Sequence, residues 1–159
     1  MEVFGVITLV KTISADPHVQ TWATELERET EKHHNAAFKI PIDEDELPIV
    51  TFCFDDSAKL YHICLQEGEA VHDKIVGFIM LSPADHDKQV IWLSQLYIDP
   101  RQRGRGIGTR ALKLIKILIQ EEGYKALGVD VWTSNTAAKK LYEKVGFSKV
   151  VHETKVIYL

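Results

Sequence analysis

The stretch LYIDPRQRGRGIG, residues 96–108, joins a β-branched and aromatic run, VIWLSQLYI, to an apolar helical pattern, TRALKLIKILIQEE. Gly104, Gly106 and Gly108 fall within five residues of one another. Glycine loses more conformational freedom on folding than any other residue. A cluster of glycines therefore marks backbone that must adopt unusual dihedral angles or let a ligand approach closely. The turn stands where a strand feeds a helix. The first N–H groups of a helix have no intrahelical partners and carry the positive end of its dipole, so phosphate is the natural guest of such a turn. Charge agrees with this: Arg101, Arg103, Arg105, Arg110, Lys113 and Lys116 are basic, and no acidic residue lies between 101 and 116. A solvated helix face explains the same charges on its own, and their coincidence with the glycine turn shifts the reading toward an anion site.

Working outward, the spacing predicts alternating elements. EVFGVITLV reads as a strand, and SADPH supplies a capping residue followed by Pro17 in the first turn of a helix. Val19, Trp22, Ala23 and Leu26 form one apolar face of that helix, which fades near His33 and His34. Residues 35–58 are the least legible, with a strand-like IVTFCF after an acidic DEDE loop. LYHICLQEGEAVHDKIVGFIMLS has the signature of a hairpin, VIWLSQLYID of a further strand, and the helix after the glycines ends at Gly123. ALGVDVWT is a strand, NTAAKKLYEKVG a short helix from Ser134 or Asn135 closed by Gly146, and FSKVVHETKVIYL ends strand-like. Strand, helix and strand across 90–132 make a right-handed βαβ crossover. Two parallel strands are thereby placed in a sheet that is antiparallel nearby.

The chain has 159 residues, 45% hydrophobic and 26% charged, with a net charge of −4, the composition of one globular domain spanning 1–159. No apolar run approaches the roughly 20 residues of a membrane span. VFGVITLV lacks the basic flank and small-residue cleavage site of a signal sequence and suits a buried strand. Cys53 and Cys64 lie in apolar surroundings without CxxC spacing, which favours free thiols in a reducing cytoplasm. The expectation is a cytoplasmic protein with no membrane or nucleic-acid partner.

Three known phosphate-binding uses compete for the glycine turn. A P-loop needs Lys-Ser/Thr after its last glycine, whereas Gly108 is followed by Thr109 and Arg110. A dinucleotide fingerprint needs GxGxxG, and the spacing here is GxGxG. The third use is the pyrophosphate arm of coenzyme A. LYIDPRQRGRGIG, a long helix and then VDVWTSNTAAKKLYEKVGF resemble the two signature motifs of the GCN5-related N-acetyltransferase (GNAT) superfamily. Arg103, Gly106 and Gly108 match its R/Q-x-x-G-x-G/A element. Asn135, Ala138, Leu141, Tyr142, Gly146 and Phe147 match its N-x-x-A-x-x-L-Y-x-x-x-G-F element. The likeness covers roughly residues 59–148.

The resemblance implies an α+β fold: a central mixed, mostly antiparallel twisted sheet with one parallel βαβ splay, flanked by about four helices. It implies acetyl-CoA as co-substrate and a primary amine, of a small molecule or of a protein or peptide, as acceptor. Arg103, Gly104, Arg105, Gly106, Ile107, Gly108 and Thr109 would hold the pyrophosphate, mainly through main-chain N–H groups, so that Gly106 matters more than Arg105. Leu96, Tyr97 and Ile98 would lie where the strand bulges and diverges from its neighbour, and the Leu96 N–H would polarise the thioester carbonyl. Asn135 would touch the cofactor's arm. Tyr142 would protonate the departing thiolate, although a tyrosine on a short amphipathic helix is by spacing alone a core residue. The family often forms homodimers.

The general base is open. Some family members carry a glutamate on the strand before the glycine turn, but VIWLSQ offers Trp92, Ser94 and Gln95. Asp130 is the remaining carboxylate candidate, against relay through water or through His and Glu of the unread segment. His33, His34, His62, His72, His86 and His152 have no metal-ligand spacing, and no metal is expected. DEDE at 43–46, with Asp55 and Asp56, would either attract a cationic acceptor or form a solvated loop. Two function classes stand: direct N-acetyl transfer in a ternary complex, and a coenzyme-binding sensory or interaction module without turnover.

Overall fold

The computed structural model describes residues 5–38, 57–69 and 72–148. Five strands, β1 (Gly5–Thr12), β2 (Lys59–Glu67), β3 (Lys74–Pro83), β4 (Val90–Ile98) and β5 (Ala126–Val129), lie in sequential order in one sheet. Pairing is antiparallel from β1 to β4 and parallel between β4 and β5, with helix α2 (Ile107–Glu121) as the crossover. Helices α1 (Pro17–Phe38) and α3 (Thr136–Val145) and a 3₁₀ turn at Pro100–Gln102 complete the described elements. The mixed, mostly antiparallel sheet of the expected fold class is present. DEDE, IVTFCF, Cys53, His152 and residues 149–159 of the C-terminal strand-like run fall outside the described residues.

The sheet separates two apolar layers. On one face Ile63, Leu65, Ile79, Leu81, Ile91 and Leu93 pack against Ile107, Ala111, Leu112, Ile115 and Ile119 of α2, with Val145 of α3. On the other, Val19 and Ala23 of α1 pack on Leu60, Phe78, Met80 and Tyr97. The period-3.6 face read from the sequence is thus the face that α1 buries. Its start is fastened: Asp16 Oδ1 accepts from the His18 and Val19 N–H groups at 2.9 and 3.3 Å, and lies 3.1 Å from His62 Nε2.

Several expected boundaries move. Helix α1 runs on to Phe38, where the sequence predicts fading near His33. Its later turns have tertiary partners, since Glu29 pairs with Arg103 at 2.9 Å and His33 Nδ1 meets Ser134 Oγ at 2.8 Å. Strand β5 keeps only four residues of ALGVDVWT, because its pairing with β4 ends at Leu93 and Val129. Strand β1 lies at an edge of the described sheet, with Val6 and Val10 exposed and only Ile7 buried, rather than being a buried strand.

Candidate active site

Strand β4 holds the first part of the site. Its register against β3 pairs Leu81 with Leu93 and Met80 with Gln95, leaving Ser94 as a bulge. The sequence reading puts the bulge near Leu96; it lies two residues earlier. One extra residue shifts the parity of a strand. Ile91 and Leu93 before the bulge and Leu96 and Ile98 after it therefore share the α2 face, while Tyr97 turns to α1. Ser94 is held by a 2.7 Å bond between its hydroxyl and that of Ser82.

Backbone direction follows from the same register. The Asp99 N–H donates to the Val76 carbonyl at 2.8 Å, so in an antiparallel ladder Tyr97 and Gln95 also turn their polar groups to β3. Leu96 and Ile98 turn theirs the opposite way, and the Ile98 carbonyl accepts from Arg103 Nε at 2.9 Å. On that side β5 pairs no further than Leu93. The Leu96 N–H thus points to the β5 side of β4, beyond the last β4–β5 pair.

Beyond β4 the chain turns tightly. Buried Asp99 accepts from the Arg101 N–H at 3.0 Å and from its guanidinium at 3.1 and 2.8 Å, which holds its carboxyl below the usual carboxylate range. Gly104 and Gly106 have φ of +75° and +76°, and a Cβ at either would meet nothing within 4 Å. Conformation, not space, requires glycine at both. Gly106 is the N-cap of α2, and no side chain caps the helix there. The Arg110 N–H makes the bond back to the Gly106 carbonyl at 3.1 Å, so Ile107, Gly108 and Thr109 keep N–H groups without intrahelical acceptors. Gly108 differs: its Cβ would lie 3.3 Å from Leu141 Cδ2 and 4.0 Å from Ile98 Cγ1. Its small size serves the meeting of α2, α3 and β4.

The arginines have protein partners. Arg103 bonds Ile98 and Glu29 and lies 5.1 Å over the Tyr97 ring, Arg105 bonds Gln102 and Glu67, and Arg110 bonds the Gly5 carbonyl. Their charge surrounds the turn while part of each guanidinium is engaged by the scaffold.

Helix α3 brings Tyr142 to the same region. It packs against the α2-side core, edge-on to Phe147 at 5.5 Å, and burial pushes its hydroxyl above the ordinary tyrosine value, so the phenol keeps its proton at neutral pH. Asn135 is the N-cap of α3, its Oδ1 accepting from the Ala138 N–H at 3.2 Å. Gly146 closes the helix at φ +106°.

Exposed Asp130 follows the last residue of β5 and lines a cleft of about 590 Å³ with Ser94, Leu93, Trp92 and the β3–β4 turn. That turn, with Asp85, His86 and Asp87, is a part of the cleft that the sequence reading missed. ADHD reads as an ordinary hairpin connection, and only the pairing of β3 with β4 carries it beside Trp92 and Ser94. Glu27 on α1 lies apart from the cleft's lining; burial raises its carboxyl pKa, and its Oε1 has no hydrogen-bond partner. Among the described residues no group of three or more His, Cys, Asp or Glu could hold a metal ion, and no helix is long and apolar enough to cross a membrane.

A sequence model of the Acetyltransferase (GNAT) family matches residues 15–147, and the chain belongs to that family. It is 28% identical over 127 residues, 74% of this chain and 83% of the relative, to the spermine/spermidine N(1)-acetyltransferase of Bacillus subtilis (strain 168). Among solved structures, a GNAT family acetyltransferase from Elizabethkingia anophelis with acetyl-CoA bound superposes with a TM-score of 0.60 at 19% identity, covering 89% of this chain and 76% of that one. A tetramutant of the BH1408 protein from Bacillus halodurans gives a TM-score of 0.68 at 17% identity, over 96% and 99%. These two likenesses are of fold. The chain is a member of an acetyltransferase family whose co-substrate is acetyl-CoA.

Proposed function

We propose that the protein transfers the acetyl group of acetyl-CoA to a primary amine by direct attack in a ternary complex. The observation that carries the reading is the Leu96 N–H pointing to the β5 side beyond the last β4–β5 pair, on the strand that runs into the uncapped start of α2. The pyrophosphate sits on the N–H groups of Ile107, Gly108 and Thr109, with Arg103, Gly104, Arg105 and Gly106 shaping the turn. The pantetheine arm lies along Leu96, Tyr97 and Ile98 in place of a neighbouring strand, and its thioester carbonyl accepts from Leu96. The neutral amine attacks the carbonyl carbon, the carbon–sulfur bond breaks, and the departing thiolate takes the proton of the Tyr142 hydroxyl. The nitrogen's surplus proton passes to Asp130. Asp130 is preferred to Glu27 because it lines the cleft beside Ser94, whereas Glu27 is not among the residues that line it. Asn135 caps α3 and faces the cofactor's arm.

The test is thiol release from acetyl-CoA across a panel of primary amines at saturating co-substrate. The Bacillus subtilis relative makes spermine and spermidine the first amines to include. The second reading, a coenzyme-binding sensory module, draws on the absence of a carboxylate from VIWLSQ of β4. Thermal stabilisation by acetyl-CoA without thiol release on any amine would establish it instead.

A further inference from the structure

Resting on that reaction, we infer that the cleft between the β3–β4 turn and Asp130 is the acceptor site, and that it takes a linear polyamine with one end anchored and the other reacting. The described lining contributes three carboxylates, Asp85, Asp87 and Asp130, one histidine, His86, and no lysine or arginine. One wall is a fixed aromatic surface. The Trp92 indole lies so close over β5 that a Cβ on Gly128 would stand 2.7 Å from its Cε3 and Cζ3. Such a wall suits both methylene segments and ammonium groups.

The carboxylates occupy two ends. Asp130 follows Val129, the partner of Leu93, and so lies level with the Ser94 bulge, where the β4–β5 pairing ends short of Leu96. Asp85 and Asp87 lie beyond the Ala84 N–H to Val90 carbonyl bond of 3.1 Å, at the turn end. Asp87 closes that turn by accepting from the Gln89 N–H at 2.8 Å, which leaves Asp85 as the residue to vary. From Val90 to Ser94 is four residues of strand, about 13 Å.

Chemistry then selects the occupant. An amine attacks only when neutral, while carboxylates nearby favour the ammonium. A monoamine held at the Asp85 end is kept as the ammonium and about 13 Å from Ser94, short of the reacting carbon. A polyamine separates the tasks, one ammonium held at Asp85 while a distant nitrogen, neutral when it attacks, reaches the Ser94 end and yields its surplus proton to Asp130.

The experiment compares kcat/KM for propylamine, 1,4-diaminobutane and spermidine, with parent, Asp85→Asn and Asp85→Glu enzymes whose folding is checked by melting with acetyl-CoA. The parent prefers spermidine to propylamine by about 100-fold or more, and the preference shrinks as salt screens it. Asp85→Asn cuts the spermidine-to-propylamine ratio about tenfold, and Asp85→Glu restores most of it. Propylamine acetylated as well as spermidine, or a ratio unmoved by Asp85→Asn, overturns the assignment while acetyl transfer stands. No thiol release with any amine, despite acetyl-CoA binding, refutes the reaction and the cleft's role with it.

Discussion

Replacing Gly106 by alanine tests the glycine turn at its most constrained point. In the folded chain Gly106 has φ +76° and ψ +9°, and a methyl group there would touch nothing within 4 Å. The whole cost is therefore conformational, about 1–2 kcal/mol for an L-residue in the left-handed region. Loss of freedom in the unfolded chain returns about 0.5 kcal/mol, leaving a net destabilisation near 1 kcal/mol. For a chain of this length that lowers Tm by about 2–4 °C. Relief of the strain re-aims the N–H groups of Ile107 and Gly108. Losing one hydrogen bond to a charged phosphate costs about 1.5–3 kcal/mol, so the Kd for acetyl-CoA rises roughly 10- to 100-fold. Calorimetric titration and thermal unfolding read the two effects separately. Gly108→Ala is the contrast, because its methyl points at the movable end of Leu141, into the protein and off the ligand side. Better helix propensity, about 0.5–1 kcal/mol, offsets that crowding, and Kd stays within about twofold. This agrees with a motif that reads G/A at its last position. A Gly106→Ala protein that melts and binds as the parent does, or a larger binding loss in Gly108→Ala, would refute the reasoning.

Tyr142→Phe should keep acetyl-CoA affinity and lose about 100-fold or more in kcat, and a loss under about threefold in stopped thiol-release assays would exclude the acid role. Because burial raises the Tyr142 pKa, the parent's kcat should show no falling limb from this group below about pH 10. Asn135→Ala removes the cap on Ala138 and should cost about 1 kcal/mol, read as a drop in Tm of about 2–4 °C. Asn135→Ser should restore the melting temperature, and a Kd that stays raised would separate contact with the cofactor from capping. Asp99 is held low by the Arg101 side-chain bonds first and the Arg101 N–H second. A carboxylate depressed in the folded state stabilises fully above its unfolded value, near 4, and that contribution disappears as pH falls through the folded value. Unfolding followed from pH 7 to pH 2.5 should show Asp99→Asn less stable than the parent at neutral pH, with the difference closing in acid.

Local signals in the sequence determined most of the donor side. Glycines with positive φ, an N-cap asparagine, a closing Gly146 and an apolar stripe on α1 are matters of near neighbours along the chain, so Gly106, Asn135 and the core faces of α1 and α2 could be read without a fold. The tertiary structure decided what depends on pairing. Ser94 is a bulge only because of its register against β3, and the direction of the Leu96 N–H follows from that register. The length of β5 is set by where it leaves β4, and that of α1 by Arg103 and Ser134, residues distant in sequence. Gly108 reads as a ligand-facing glycine until Leu141 and Ile98 are placed beside it. The acceptor side was illegible for the same reason: Asp85, Trp92 and Asp130 share a cleft through two strand pairings that no local spacing encodes.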